Sequence, residues 1–204
     1  MQPSSSGPPC AAQTRQLIRQ TVRQRRRQLS AQQQAEFAAQ LVARLDNHPR
    51  IRQAQRVALF LSFDGELDTA PLIRRFWQLQ KQVYLPVLHP FSPGHLLFLR
   101  YEAHTPLVIN RLKIAEPRLD VRHVLPVERL DVLFTPLVAF DEQGQRLGMG
   151  GGFYDRTLQH WRRRGPYPIG LAHDCQQVSP LPAAGWDVPL PEIVTPSRQW
   201  RFVA

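Results

Sequence analysis

Cysteine is nearly missing from this sequence: only Cys10 and Cys175 occur in 204 residues, at no metal-ligand spacing and too few for a disulfide framework. Both are expected to be free thiols. Long apolar runs are missing too, since none approaches the roughly 20 residues a membrane helix needs. The opening Met1-Gln2-Pro3-Ser4-Ser5-Ser6-Gly7-Pro8-Pro9 offers neither a charged leader nor a signal-peptide core. A cytoplasmic location and no membrane partner are therefore expected. No serine or cysteine nucleophile motif accompanies the seven histidines, and His173-Asp174 reads as a loop pair rather than a catalytic dyad. Acids are short as well, 16 against 26 lysines and arginines, for a formal net charge of +10. Such an excess calls for a polyanionic partner, either nucleic acid or a phosphorylated ligand.

What the chain has instead is a glycine-rich loop, Gln145-Arg146-Leu147-Gly148-Met149-Gly150-Gly151-Gly152-Phe153-Tyr154-Asp155-Arg156. It follows a buried-strand pattern at Val132 to Phe140 and a turn at Asp141-Glu142-Gln143-Gly144. A helical pattern follows from Phe153 to Arg164 and stops at Gly165-Pro166. The first N–H groups of a helix have no internal partner, so a bare backbone there attracts phosphate. The loop is not a Walker A motif, because Phe153 stands where Lys-Ser or Lys-Thr is required. It is not the dinucleotide fingerprint either, because Phe153 again replaces the last glycine. Without a ligand it would be merely a glycine-rich turn. Tyr154-Asp155-Arg156 argues for more, since an acid and a base in the first helical turn can hold magnesium and phosphate charge together.

Residues 1–12 read by composition as a disordered extension, and residues 13–204 as one domain whose 43% hydrophobic content suffices for a core. Helices are expected at Thr14 to Leu29 and Ser30 to Leu45, the second opened by a Ser30/Gln33 capping box. A strand at Arg56 to Phe63, a helix at Ala70 to Gln80 capped by Thr69, and a strand at Gln82 to Val87 make a βαβ unit. Further strands are expected at His95 to Tyr101 and Pro168 to Ala172. The alternation predicts an α/β fold: a three-layer domain with a largely parallel or mixed sheet and helices on both faces. Ligands would then bind beyond the carboxyl ends of the strands.

The basic residues are uneven. Arg15, Arg19 and Arg23 recur every four residues and share one helix face that could cover phosphates, whereas Arg25, Arg26 and Arg27 wrap around the helix and read as solvated. Arg162, Arg163 and Arg164 read as partners of a helix C-terminal dipole.

The string Arg146-Leu147-Gly148 to Gly152-Phe153-Tyr154-Asp155 resembles the signature of the 5-formyltetrahydrofolate cyclo-ligase family. Three further segments resemble that family in the same order: Phe60-Leu61-Ser62-Phe63-Asp64-Gly65-Glu66-Leu67-Asp68-Thr69, Val83-Tyr84-Leu85-Pro86-Val87, and Trp186-Asp187-Val188-Pro189-Leu190-Pro191-Glu192-Ile193-Val194-Thr195-Pro196. With the arginine helix, the likeness spans about residues 14–200.

The resemblance implies ATP-dependent cyclisation of 5-formyltetrahydrofolate to 5,10-methenyltetrahydrofolate, with ATP as co-substrate, Mg2+ as cofactor, and ADP and phosphate released. By that likeness Arg15, Arg19, Arg146, Leu147, Gly148, Met149, Gly150, Gly151, Gly152, Phe153 and Tyr154 would hold ATP. Leu61 and Glu66 would meet the reduced folate together with residues 149–153. Arg146, Tyr154 and Asp155 would serve catalysis, and Asp155 and Asp187 would hold the metal. The dipole of the helix start is the plainer explanation of Asp155, and a turn role the plainer explanation of Glu66.

The sequence also departs from the family pattern. Relatives often carry arginine at the position of Met149, lysine at that of Gly151 and an acid at that of Pro191. Arg146, Arg15 or Arg156 would have to replace the missing cations, and the last departure weakens the metal role of Asp187. A monomer with small-molecule partners is expected. The alternatives are an RNA-associated basic protein without catalysis, for which no recognition motif is present, and an enzyme like a sugar-phosphate isomerase, which would consume no nucleotide.

Overall fold

The computed structural model describes residues 10–202. Three helices open the chain: α1 (Ala11–Arg27), α2 (Ala31–Asp46) and the short α3 (Pro49–Gln53). The start of α2 is set by Ser30. Its side chain accepts the Gln33 N–H at 3.2 Å while the Ser30 N–H donates to the Gln33 side chain at 2.9 Å, the reciprocal capping that the spacing predicted. Because α1 begins at Ala11, the helix includes two residues that composition assigned to the extension; residues 1–9 lie outside the described residues.

There follow β1 (Arg56–Ala58), α4 (Ala70–Gln78), β2 (Gln82–Leu88), β3 (Leu96–Arg100), β4 (Leu107–Ile109), β5 (Ala115–Pro117) and β6 (Val124–Leu125). Then come β7 (Val132–Pro136), β8 (Ala139–Phe140), β9 (Arg146–Leu147), α5 (Phe153–Leu158), β10 (Tyr167–Leu171), β11 (Glu192–Val194) and β12 (Gln199–Arg201). Eight strands form one sheet in the order β12-β11-β10-β7-β1-β2-β3-β6. Its five central strands are parallel, and β12 and β3 pair antiparallel at the two sides, so the sheet is mixed. The two small hairpins β4-β5 and β8-β9 lie outside it.

Strand periodicity sorts the core into two layers. Val57, Val132, Phe134, Ile169, Leu171 and Val194 face one way and pack with Leu41 and Leu45 of α2, Ile51 of α3 and Leu72 and Phe76 of α4. Their neighbours Ala58, Leu133 and Ile193 face the other way and pack with Leu158 of α5 and with Phe140, Leu137 and Leu190. Helices thus cover both faces, as the alternation predicted. A third cluster joins Val22 of α1 to Val138, Ala139 and Leu147, which seats the arginine helix beside the glycine loop.

Three elements differ from expectation. β1 stops at Ala58: Leu59 N–H still reaches Tyr84 O at 3.0 Å, but the Thr69 hydroxyl then takes Phe60 O at 2.6 Å and Ser62 Oγ donates to Leu67 O at 2.9 Å. The segment closes into a loop instead of extending the ladder. That use of Thr69 leaves the cap of α4 to Asp68, whose carboxylate accepts the Ala70 N–H at 2.9 Å. α5 ends at Leu158 rather than running to Arg164, because residues 159, 160, 162 and 163 are exposed and no apolar stripe holds a further turn. Arg162 to Arg164 therefore follow a series of turns, and the dipole explanation for them is withdrawn.

Candidate active site

Beyond the carboxyl ends of β1, β2 and β7 lies a cavity of about 870 Å³. Phe60, Leu61 and Glu66 enter it from the loop after β1, Leu85, Pro86 and Leu88 from β2, and Pro136 and Leu137 from β7. α1 contributes Arg15, Arg19 and Arg23 from its shared face, and the glycine loop with the start of α5 lines the wall from Gly148 to Asp155. Segments separated by more than a hundred residues thus converge where an α/β sheet places its ligands.

The loop is aimed by the β8-β9 hairpin. Asp141 Oδ1 accepts the N–H groups of Gln143 and Gln145 at 2.9 and 3.0 Å and so fixes the turn. β9 then alternates: Leu147 enters the third core cluster and Arg146 faces the cavity. This corrects the expectation for Leu147. Its side chain is core and its carbonyl is occupied by Val138 N–H at 2.7 Å, so it serves the site only by anchoring the loop. Gly150 (φ 104°) and Gly152 (φ 66°) occupy the left-handed region, where a side chain would be strained. Gly151 does not, but a Cβ there would meet the Phe153 ring at 2.7 Å. Arg156 clasps the outside of the loop, donating to Gly151 O and, at 2.7 Å, to Gly94 O.

Two acid–base pairs border the cavity. Arg146 Nη2 donates to Asp155 Oδ1 at 2.6 Å, and the same oxygen accepts the Val188 N–H at 3.2 Å. Burial lowers the Arg146 pKa, and its Nε has no hydrogen-bond partner among the described residues. Arg15 makes a bidentate pair with Asp187, at 2.5 and 2.9 Å, and Asp187 Oδ2 also accepts the Ala184 N–H at 2.8 Å. Although burial alone would raise the pKa of Asp187, the Arg15 pair holds it below the usual carboxylate range. Arg19 Nε donates to Gly148 O at 2.8 Å and ties α1 to the loop; burial and the nearby Arg15 lower its pKa.

In the loop after β1, Glu66 Oε2 accepts the Phe63 N–H at 3.1 Å. Burial pushes its carboxyl up to about 7, against the opposing influence of Arg26. The Tyr154 hydroxyl is raised by burial and by Glu66, so it stays a neutral donor.

A family model for the "5-formyltetrahydrofolate cyclo-ligase family" matches residues 11–196. The chain belongs to the 5-formyltetrahydrofolate cyclo-ligase family. A relative from Escherichia coli (strain K12), named 5-formyltetrahydrofolate cyclo-ligase, is 64% identical over 159 residues, 78% of this chain and 87% of the relative. One of the same name from Haemophilus influenzae is 59% identical, covering 70% of this chain and 76% of its own. Among solved structures, Aquifex aeolicus 5,10-methenyltetrahydrofolate synthetase superposes with a TM-score of 0.78 at 28% identity over 92% of both chains.

Within this cyclo-ligase fold, every residue expected at the site except Leu147 lines the one cavity. The arginine helix needs a second correction. Arg26 is not solvated but fully buried, donating from Nε to Asp64 O at 2.8 Å and from Nη2 to Asp64 Oδ2 at 3.0 Å. Arg23 pairs with the same carboxylate at 2.6 Å, as does Arg27. With Arg15 also paired, α1 presents far less free positive charge than its sequence suggests, which removes the main support for an RNA-binding face. Asp64, which collects these three arginines, carries no signal of its own in the sequence. The wall built by Asn110, Leu112 and Glu116 of the β4-β5 hairpin was also missed, and no local pattern marks it. Trp186, 75% exposed at the rim, could have been found through its neighbour Asp187.

Proposed function

We propose that this chain catalyses the magnesium- and ATP-dependent cyclisation of 5-formyltetrahydrofolate to 5,10-methenyltetrahydrofolate, releasing ADP and phosphate. One observation carries the reading: a single cavity brings a glycine loop and the cations Arg146, Arg15 and Arg19 together with the carboxylate of Glu66, which sits amid Leu61, Leu85 and Phe60. A triphosphate suits the loop and its cations, and an apolar heterocycle with N–H donors suits Glu66 and its apolar neighbours.

A formamide oxygen leaves poorly. Its attack on the γ-phosphorus of ATP makes an imidate-type phosphate and frees ADP; the folate's N10 then attacks that carbon, the C–O bond breaks, and phosphate departs with the oxygen and the N10 proton. Phosphoryl transfer depends on positioning and charge stabilisation rather than on a protein nucleophile. Arg146 supplies the buried charge, with its unpartnered Nε, and the N–H groups of the loop supply fixed donors. Arg15 and Arg19 close from α1, the Phe153 ring and Leu61 exclude water, and Glu66 orients the pterin edge.

Magnesium would neutralise charge on the phosphates, and Asp155 fits it best, since both of its hydrogen bonds fall on Oδ1 and leave Oδ2 to a cation. The described residues contain no cluster of three or more metal-type side chains, which agrees with a magnesium held mainly by substrate phosphates. Asp187 fits poorly, because Arg15 already occupies both of its oxygens. We assign it instead to holding Arg15.

The test is the appearance of methenyl-folate absorbance after mixing protein, magnesium, ATP and 5-formyltetrahydrofolate. Formation of one product per ATP consumed is expected. Product formed without nucleotide would overturn the reading, as would turnover of a sugar phosphate in its absence.

A further inference from the structure

The loop after β1 and the end of α1 share a charged cluster in which three guanidinium groups, of Arg23, Arg26 and Arg27, surround the carboxylates of Asp64 and Glu66. Only one of the three faces Glu66. Arg23 and Arg27 end on Asp64, whereas Arg26 places Nη1 4.0 Å from Glu66 Oε1, and that nitrogen has no hydrogen-bond partner among the described residues. The Arg26 side chain has no solvent exposure and the Glu66 side chain has 11%, so water screens their attraction little. Arg26 cannot swing away, because its other nitrogens are fixed to Asp64 O and Asp64 Oδ2.

The other titratable groups around Glu66 bring no positive charge. Asp64, in the same turn, opposes ionisation of Glu66. Tyr154 of α5 is a neutral phenol. His173, after β10, lies near the backbone carbonyl groups of Gly65 and Glu66 with neither ring nitrogen in hydrogen-bond geometry, and burial holds it down at about 4. Glu66 ionisation thus depends on one cation from a distant helix.

We propose that Arg26 is a positioning residue for folate binding: its buried guanidinium favours the ionised form of Glu66 on the cavity wall, so that the N–H donors of the pterin edge meet a carboxylate more readily than a carboxylic acid. The proposal deepens the reading of the cavity given above and rests on it. A carboxylate accepts two parallel N–H bonds from an amidine-like edge, while the neutral acid offers one acceptor and one misplaced donor.

The experiment is the pH profile of kcat/KM for 5-formyltetrahydrofolate in Arg26→Met, Arg26→Lys, Arg27→Ala and Glu66→Gln. In Arg26→Met the acid limb should move to higher pH by about one unit, with KM for folate raised and KM for ATP little changed. Arg26→Lys keeps the charge and should restore the limb even though it loses hydrogen bonds to Asp64. Arg27→Ala, which contacts Asp64 but not Glu66, should leave the limb in place. Should Arg26→Met fail to fold, Arg26→Gln takes its place, with the same shift expected.

If Glu66→Gln raises KM for folate but neither neutral Arg26 variant moves the limb, the inference is overturned while the site reading stands. A limb that moves equally in Arg26→Lys would also overturn it, because the effect would then come from packing. If Glu66→Gln leaves KM for folate unchanged, the site reading itself fails.

Discussion

Arg146 and Asp155 face each other across the glycine loop, joined at 2.6 Å, with the Arg146 side chain buried and the Asp155 side chain partly open to the cavity. The pair makes the loop a charged structural unit, because the carboxylate is the only acceptor bonded to that guanidinium among the described residues. Asp155→Ala is therefore expected to do two things. Turnover should fall below a hundredth of wild type, and stability should drop by about 3 kcal/mol as Arg146 is left buried and uncompensated. Asp155→Asn keeps an acceptor and should recover most of the stability but little of the rate. Thermal melts beside turnover measurements separate the two effects; normal turnover in either variant would remove Asp155 from the chemistry.

Arg15→Ala and Arg19→Ala are each expected to raise KM for ATP about tenfold, an ordinary size for a lost charge-assisted bond. Arg25→Ala, on the exposed side of α1, is the control and should do little. Nucleotide titration of the three variants provides the measurement. Equal small effects would mean that Arg15 and Arg19 do not meet the nucleotide.

The glycines should respond differently from one another. Gly152→Ala places a Cβ at φ 66° and 2.8 Å from Arg156 Nη1, so it should cost about 1–2 kcal/mol of stability as well as rate. Gly151→Ala has no positive φ to contend with; its methyl displaces the Phe153 ring and should lower kcat/KM with little change in Tm. Gly151→Lys disturbs the same ring, but its ammonium reaches toward the phosphates, so part of the lost rate should return. If the two Gly151 variants are equally poor, ring displacement alone explains them.

Glu66→Gln should reveal a trade of stability for binding. The folded-state pKa of Glu66, at about 7, lies above the ordinary 4.5, so its contribution to stability is fully present below about pH 4.5 and is lost as pH rises through 7. At pH 8 the wild type carries the full cost of a buried carboxylate. Glu66→Gln should therefore be more stable than wild type at pH 8, by on the order of 2 kcal/mol, and similar to it at pH 4.5. Denaturant unfolding at the two pH values checks this. A wild type that is the more stable at pH 8 would show that Arg26 compensates the charge completely.

Much of this was legible along the chain because it rests on local rules. Ser30 and Gln33 marked the start of α2, the unbroken apolar run Val132-Leu133-Phe134 marked a strand buried on both faces, and Gly150 and Gly152 stood where positive φ is needed. The four-residue spacing of Arg15, Arg19 and Arg23 placed all three on the cavity. Periodicity thus determined the α/β class, and the resemblance of motifs in order determined the family and the charged and glycine residues at the centre of the site. The tertiary structure decided what those residues are bonded to. Arg26 looks as polar in sequence as Arg25, yet one is buried and the other exposed, because only packing brings Asp64 and Glu66 beneath the end of α1. Leu147 shares a motif with Arg146 but faces the core, and Asp187, expected beside Asp155 as a metal ligand, is held by Arg15, 172 residues away. Charge and burial at a site are sums over neighbours distant in sequence, so the chain could name its ionisable groups but not their partners.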